Sequence, residues 1–247
     1  MKNIINLIKL SLFTGALFTI ASCNNEPSVS DISRVTYFPT FAYEGGNLAL
    51  IPCSSDYEIP PITATESGEA LTVTTKVTGL SGPVPAVDIT KADFYTETSS
   101  AVNQDGFAGE VVRTFWVACT GDLVTSIEGL YTSTIARNGP NPTYFDKKYI
   151  LIRKVGDNQY ELSNADGGWY QFGRNLGPGY SSPGAVVTAI DIPSNSFSFG
   201  PPVEVRTFGG LITITSMTVD PVAKQIVFTS SWDAGFTFTA TLTQVAL

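Results

Sequence analysis

No stretch of this 247-residue chain holds a convincing 3.6-residue apolar period, whereas two-residue alternation recurs along it. Val111, Arg113, Phe115 and Val117 alternate with Val112, Thr114 and Trp116, and Leu71, Val73 and Val77 share one face of an earlier segment. Alternation of this kind places successive side chains on opposite faces of a pleated strand. Turn-forming clusters separate the runs: Glu44-Gly45-Gly46-Asn47, Ser67-Gly68-Glu69, Gly79 to Pro85, and Asn103-Gln104-Asp105-Gly106. The chain is therefore expected to be all-β.

The strand signals fall into two groups. Residues 32–119 hold about seven short runs, the pattern of an immunoglobulin-like β-sandwich. Thr120-Gly121-Asp122-Leu123 is the expected boundary, with 120–126 as a linker. Over residues 127–247 the spacing predicts about eight or nine strands joined mostly by tight turns, Gly156-Asp157-Asn158 and Asp220-Pro221-Val222-Ala223 among them. That is an up-and-down antiparallel barrel or a related sandwich, and closure would remove the edges that so much Thr, Val and Phe would otherwise expose.

Composition narrows the chemistry. The chain has no histidine, which removes the Ser-His-Asp triad, the Cys-His pair and the HExxH zinc helix together. Charged residues are 15% of the chain, below the roughly 25% of a typical soluble domain. The first 22 residues contain Lys2 and Lys9 and no acid, so their removal would take the net charge from −8 to −10. That sign argues against nucleic acid as a partner.

The amino terminus carries an address. Lys2 and Lys9 precede an apolar run from Leu10 to Ile20, too short for the roughly 20 residues of a membrane span. It ends in Ile20-Ala21-Ser22-Cys23, an order that resembles the lipobox of bacterial lipoproteins. The resemblance implies a signal peptide over 1–22, lipidation of Cys23, a flexible leader over 23–31, and anchorage in the outer membrane. With one cysteine spent on lipid, Cys53 and Cys119 remain as an even pair in an oxidising compartment.

Two further resemblances cover most of the remaining chain. Tyr57 through Gly68, Tyr95, Ala101-Val102-Asn103-Gln104-Asp105-Gly106-Phe107 and Arg113-Thr114 resemble a bacterial Ig-like domain of Bacteroidales lipoproteins. In many Ig-like domains an early strand pairs in parallel with the last, which would bring Cys53 and Cys119 to one pole as a disulfide; two buried free thiols are the alternative. Ser163 to Gly184, with Gly129-Leu130-Tyr131 and Trp232 to Phe238, resembles a Bacteroidales lipoprotein family that joins an Ig-like domain to a lipocalin-like (calycin-like) C-terminal domain. Genes of that family often lie beside SusC/SusD-type importers, which implies capture of glycans or other oligomers at the cell surface.

Residues 164–184 mix Trp169, Tyr170, Phe172 and Tyr180 with six glycines, two prolines and several amides, poor core material that is expected at a barrel mouth. Trp169, Tyr170 and Tyr180 are the expected ligand-binding residues, since aromatic faces stack on sugar rings. Phe172 to Gly179 is glycine-rich, but no strand-then-helix pattern surrounds it, so it is not a phosphate cradle. Asn164, Asp166, Asp157 and Asn158 lack calcium-loop spacing, and no metal or cofactor is expected. A glycosidase would need a carboxylate pair, but Asp93, Glu97, Asp105 and Glu110 look like solvated strand-end or turn residues, and the chain is read as a non-enzyme. Three functions fit: a surface lipoprotein that binds an oligosaccharide or peptide beside an importer, a lipocalin-like carrier of an apolar ligand, and a structural or adhesive lipoprotein. The first is the expectation.

Overall fold

The computed structural model describes residues 35–247, so the signal peptide, the leader and Cys23 lie outside the described residues. The described chain is all-β apart from two short helical turns. Residues 38–247 make one unit in which three sheets pack together.

The first eight strands are β1 (Thr40–Ala42), β2 (Leu48–Pro52), β3 (Thr63–Glu66), β4 (Glu69–Leu71), β5 (Thr74–Gly79), β6 (Gly82–Val84), β7 (Asp93–Val102) and β8 (Ala108–Ala118). They form a small sheet ordered β1-β3-β4 and a larger one ordered β2-β8-β7-β5-β6. Gly109 of β8 lies close against the chain at the start of β1, since a Cβ there would stand 3.0 Å from Pro39 and 3.2 Å from the Phe41 ring.

Alternation in β7 and β8 sorts the side chains by parity. Tyr95 and Phe115 are cross-strand partners, as are Glu97 and Arg113, and all four are buried on one face. Tyr95 and Phe115 join Ile51, Val77 and Val117 in the core of this half. Phe94 and Trp116, also partners, face the other way. The four aromatics thus divide between two clusters, Tyr95 and Phe115 in one and Phe94 and Trp116 in the other. Asp93 and Glu97 are not solvated either. Glu97 Oε1 accepts from Arg113 Nε (2.9 Å) and Nη2 (2.7 Å), and Arg113 Nη1 donates to the Pro60 carbonyl at 2.7 Å. A buried pair persists in low dielectric when its hydrogen bonds are filled in this way.

Strand β2 runs parallel to β8 in constant register, Leu48 opposite Thr114 through Pro52 opposite Ala118. One step further along that ladder Cys53 meets Cys119, and the two are joined by a disulfide with Cα atoms 4.8 Å apart. The Cys53 amide still donates to the Ala118 carbonyl at 3.0 Å, so the bridge lies where the strands are still paired.

The second half contributes β9 (Gly129–Arg137), β10 (Tyr144–Gly156), β11 (Gln159–Leu162), β12 (Ala185–Asp191), β13 (Ser196–Phe199), β14 (Val203–Glu204), β15 (Leu211–Asp220), β16 (Gln225–Trp232) and β17 (Phe236–Gln244). Their order is β13-β12-β11-β10-β9-β17-β16-β15-β14, all antiparallel. This is a meander whose first strand pairs with its last. Every sequential neighbour is bonded except β13 and β14, so the sheet curls into a barrel without closing through strand hydrogen bonds at that seam. Full closure was expected; the two-residue β14 is too short to complete the ladder. The 120–126 stretch expected to link the halves is folded against the curled sheet: Leu123 is buried in its core, and Gln244 Nε2 donates to the Gly121 carbonyl at 2.9 Å. The Asp122 carboxyl accepts from the amides of Thr125 and Val124, which hold its pKa down to about 2.

Candidate functional site

The segment between β11 and β12 does not project from the barrel; it fills one. Ser163 Oγ accepts from the Leu151 amide at 2.9 Å, and Ser133 Oγ donates to the Gly167 carbonyl at 2.8 Å. Asn164 Oδ1 accepts from the Ser182 amide at 3.1 Å, which pins the two ends of the segment together. Gly167 and Gly168 have φ of 67° and 85°, and a Cβ on either would stand 2.6 Å from Ala240 or Phe172. Glycine is required there for conformation and for space at once. A π-helical turn, Trp169–Gly173, then carries Trp169 into the interior.

Of the three residues expected to bind ligand, Trp169 is fully buried and Tyr170 nearly so. Trp169 packs against Tyr144 (centroids 4.6 Å apart) and Phe238 (6.2 Å), with the Arg137 guanidinium 5.3 Å over its ring. The Tyr170 hydroxyl accepts from Arg137 Nη1 at 2.9 Å. Tyr180 is half-buried with its ring on Phe208, 4.9 Å between centroids. The three do gather at one end of the barrel, but the faces of Trp169 and Tyr170 are spent on protein. Mixed glycine and aromatic composition reads as a loop when the interior it enters is invisible.

Asp166 is the one ionisable side chain in this plug that is completely buried. Its Oδ1 accepts from the amides of Gly168 (2.7 Å) and Trp169 (3.0 Å), while Oδ2 has no partner. Burial outweighs those bonds and pushes the carboxyl up to about 7. An unfolded aspartate ionises near 3.8, so between about pH 4 and 7 the native state holds a proton that the unfolded state has lost. Stability from this group is therefore full below about pH 4, falls as pH rises, and levels off above about 7. Asp166→Asn keeps the Oδ1 acceptor without the charge. Urea unfolding at pH 4.5 and 8 is expected to show that the variant removes a loss on the order of 2 kcal/mol seen in the parent; an unchanged difference would mean that Asp166 stays ionised in its site.

Open space lies instead where the first half meets the barrel. The joint is apolar: Trp116 and Ala118 of β8 pack on Leu130, Tyr149 and Leu151 of the barrel, with Leu50, Leu80, Phe94 and Phe172 around them. Trp116 stacks against Phe94 at 4.2 Å and meets Tyr149 edge-on at 5.8 Å. Beside this joint runs an open groove of about 490 Å³. The β5–β6 turn with Phe94, Thr96 and Trp116 forms one wall, and Ser163, Gln171, Pro178, Ser181 and Arg206 form the other. Ligand sites favour such junctions, with apolar surface for affinity and a few polar groups for orientation.

The groove walls are held fixed. Arg153 of the barrel bonds Glu161 at 2.9 Å on its own side and reaches across to Asp93 (3.1 Å) and Ser81 Oγ (2.9 Å). Asp93 Oδ1 in turn accepts from the Leu80 amide at 3.2 Å, which ties down the β5–β6 turn. On the far wall, Gln171 Oε1 accepts from Asn164 Nδ2 at 3.1 Å, so its amide nitrogen remains for a ligand. A second cleft of about 610 Å³ includes Asp88, Lys91, Asp93, Glu128, Arg153 and Lys154 in its lining. Its Asp88–Lys91 and Asp93–Arg153 charges are already paired with each other. Among the described residues no group of His, Cys, Asp and Glu is placed to hold a metal ion, and no helix is long and apolar enough to cross a membrane.

Sequence reasoning missed Phe94, Trp116, Gln171 and Arg206. A signal for the first two was present: once Tyr95 and Phe115 take the core face, their neighbours must point outward, and two large aromatics on an outer face mark an interface.

The fold is similar to that of a lipoprotein from Bacteroides thetaiotaomicron known from its crystal structure. The TM-score is 0.62 and the identity 24%, with 84% of this chain and 100% of that one covered. No curated protein matches the chain. A family model described as a "-like, C-terminal domain" matches residues 120–244, just over half of the 247, and the chain belongs to that family.

Proposed function

We propose that this protein is an outer-membrane lipoprotein, anchored through Cys23 and exposed at the cell surface. In this reading it binds an oligomeric nutrient, a glycan, as an accessory to a SusC/SusD-type importer. The lipobox-like Ile20-Ala21-Ser22-Cys23 supports the anchor, as does the fold it shares with a Bacteroides lipoprotein. The observation that carries the binding reading is the rigid groove between the two halves, with an aromatic floor and an amide and hydroxyl rim. Stacking on Phe94 and hydrogen bonds to Gln171 and Ser181 are interactions that a sugar ring uses with both its apolar face and its hydroxyl edge. The protein acts by binding and not by catalysis. No carboxylate lines the groove, so a two-carboxylate hydrolysis has no groups there.

The packed barrel speaks against carriage of an apolar molecule, because Trp169, Tyr131, Tyr160, Phe228 and Phe238 fill its interior. The same packing favours, as a second reading, a structural or adhesive lipoprotein without a small ligand. A glycan and peptide array on the purified protein decides between them. The expected result is a glycan ligand with Kd in the micromolar to millimolar range, weakened roughly tenfold by Phe94→Ala, as loss of one stacking platform implies. If no glycan or peptide binds at millimolar concentration, the structural reading stands instead.

A further inference from the structure

Among the described residues, Arg206 is the only charged one that lines the groove. Within the described residues, no carboxylate oxygen lies within salt-bridge distance of its guanidinium. Among the described residues Lys91, Arg113 and Arg153 pair with acids and the other basic side chains do not; what sets Arg206 apart is its place in the lining of the groove. The neighbouring charged cleft makes the contrast, since its Arg153 and Lys91 already satisfy Asp93 and Asp88.

The loop that carries it is held in place, while the side chain itself is exposed. The Arg206 backbone amide donates to the Ser181 carbonyl at 3.2 Å, and Nη1 donates to Ser181 Oγ at 3.4 Å. The next residue, Thr207, donates from Oγ1 to the Gly179 carbonyl at 2.5 Å. The turn that closes the loop uses φ of 58° at Thr207 and 72° and 77° at Gly209 and Gly210, and the Gly209 amide returns to the Val205 carbonyl at 2.7 Å. The two loops that form this wall therefore brace each other. Arg206 is exposed, has no acidic partner among the described residues and lines the same groove as Phe94, so its remaining donors are open to an anion. Its planar fork of donors suits a carboxylate or sulfate, which a neutral sugar lacks.

Resting on the groove reading, we infer that the ligand is an acidic oligosaccharide, one of whose carboxylate or sulfate groups pairs with Arg206 while its sugar ring lies on Phe94. The overall negative charge of the chain opposes an anion only weakly at this point, because charges more than about 8 Å away are screened at physiological salt. It does impose selectivity: an anion is accepted where the local cation is and repelled elsewhere.

The test is isothermal titration of the purified full-length protein with four probes. These are a tetragalacturonate, its fully methyl-esterified neutral form, a sulfated tetrasaccharide and a tetraglutamate peptide. The same titrations are run on Arg206→Gln and Phe94→Ala, with circular dichroism confirming the fold. The tetragalacturonate or the sulfated sugar is expected to bind on the order of tenfold more tightly than the neutral form. Arg206→Gln should bring acidic and neutral forms level, and Phe94→Ala should weaken both. Comparison of the carboxylate and sulfate probes identifies which anion is preferred. Equal binding of acidic and neutral forms, both weakened by Phe94→Ala, overturns the acidic-ligand inference and leaves the groove reading standing. Binding of the peptide in preference to every sugar overturns the inference in favour of an acidic peptide. If none of the four binds while the glycan array finds another sugar, the acidic-ligand inference falls and the groove reading stands; if the array is blank as well, both fall.

Discussion

Trp169→Ala is expected to destabilise the protein by about 3–5 kcal/mol, the cost of removing a large aromatic from a packed interior. The ring is completely buried and is wrapped by Tyr144, Phe238 and the Arg137 guanidinium. The surrounding walls are strands β9, β10 and β17, hydrogen-bonded to one another along their lengths. They cannot move inward to refill the space without breaking the ladder, so the cavity term should be near its full size. The Trp169 carbonyl, which accepts from the Arg174 amide at 2.8 Å, is kept in this variant, so the loss is that of the ring's packing. The measurement is a urea unfolding curve: a midpoint within error of the parent would show that the ring is not a core element. Trp169→Phe, which keeps much of the apolar volume, should lose markedly less. A binding defect in the alanine variant would then be read through its lost stability, and Phe94→Ala, whose half-buried ring packs on Trp116, is read beside its own unfolding curve.

Removing the Cys53–Cys119 bridge is expected to cost about 4 kcal/mol on the chain-entropy account of closing a 66-residue separation. The cross-link ties β2 to the end of β8, two strands far apart in sequence that otherwise meet through a five-residue parallel ladder and the packing of Ile51 on Phe115 and Val117. Strand β2 is an edge of its sheet and is paired on one side alone. Reductant should lower the unfolding midpoint of the native chain and leave a Cys53→Ala, Cys119→Ala variant unchanged. Thiol titration of denatured, unreduced protein should find neither Cys53 nor Cys119 free. If reductant does not move the midpoint, the bridge contributes nothing beyond the ladder.

Two-residue alternation in β7, β8 and the barrel strands was enough to establish the all-β class before any contact was known. Turn chemistry located the Gly156-Asp157-Asn158 and Asp220-Pro221-Val222-Ala223 reversals, where Asn158 has a φ of 54° and Asp220 caps its own turn. The change near residue 120 marked the start of the second half. These are local matters, decided by neighbours in the chain. Parity also separated Tyr95 and Phe115 from Phe94 and Trp116, but it does not say which face will be covered, or by what.

Coverage was left to the packing of distant segments. Ser163 to Ser182 is rich in glycine and amides, as surface loops are, and becomes core only because the curled sheet surrounds it and supplies partners for its backbone. Asp93 and Glu97 would sit in water on an isolated strand; arginines distant in sequence, Arg153 and Arg113, make their burial tolerable. Arg206 has nothing in its local sequence to set it apart, and it lines a groove only because its loop is bonded to the one at Pro178–Ser181. Periodicity and turn chemistry are written in adjacent residues, but enclosure, ion pairing and cavities depend on which distant segments meet, and that is decided by the whole fold at once.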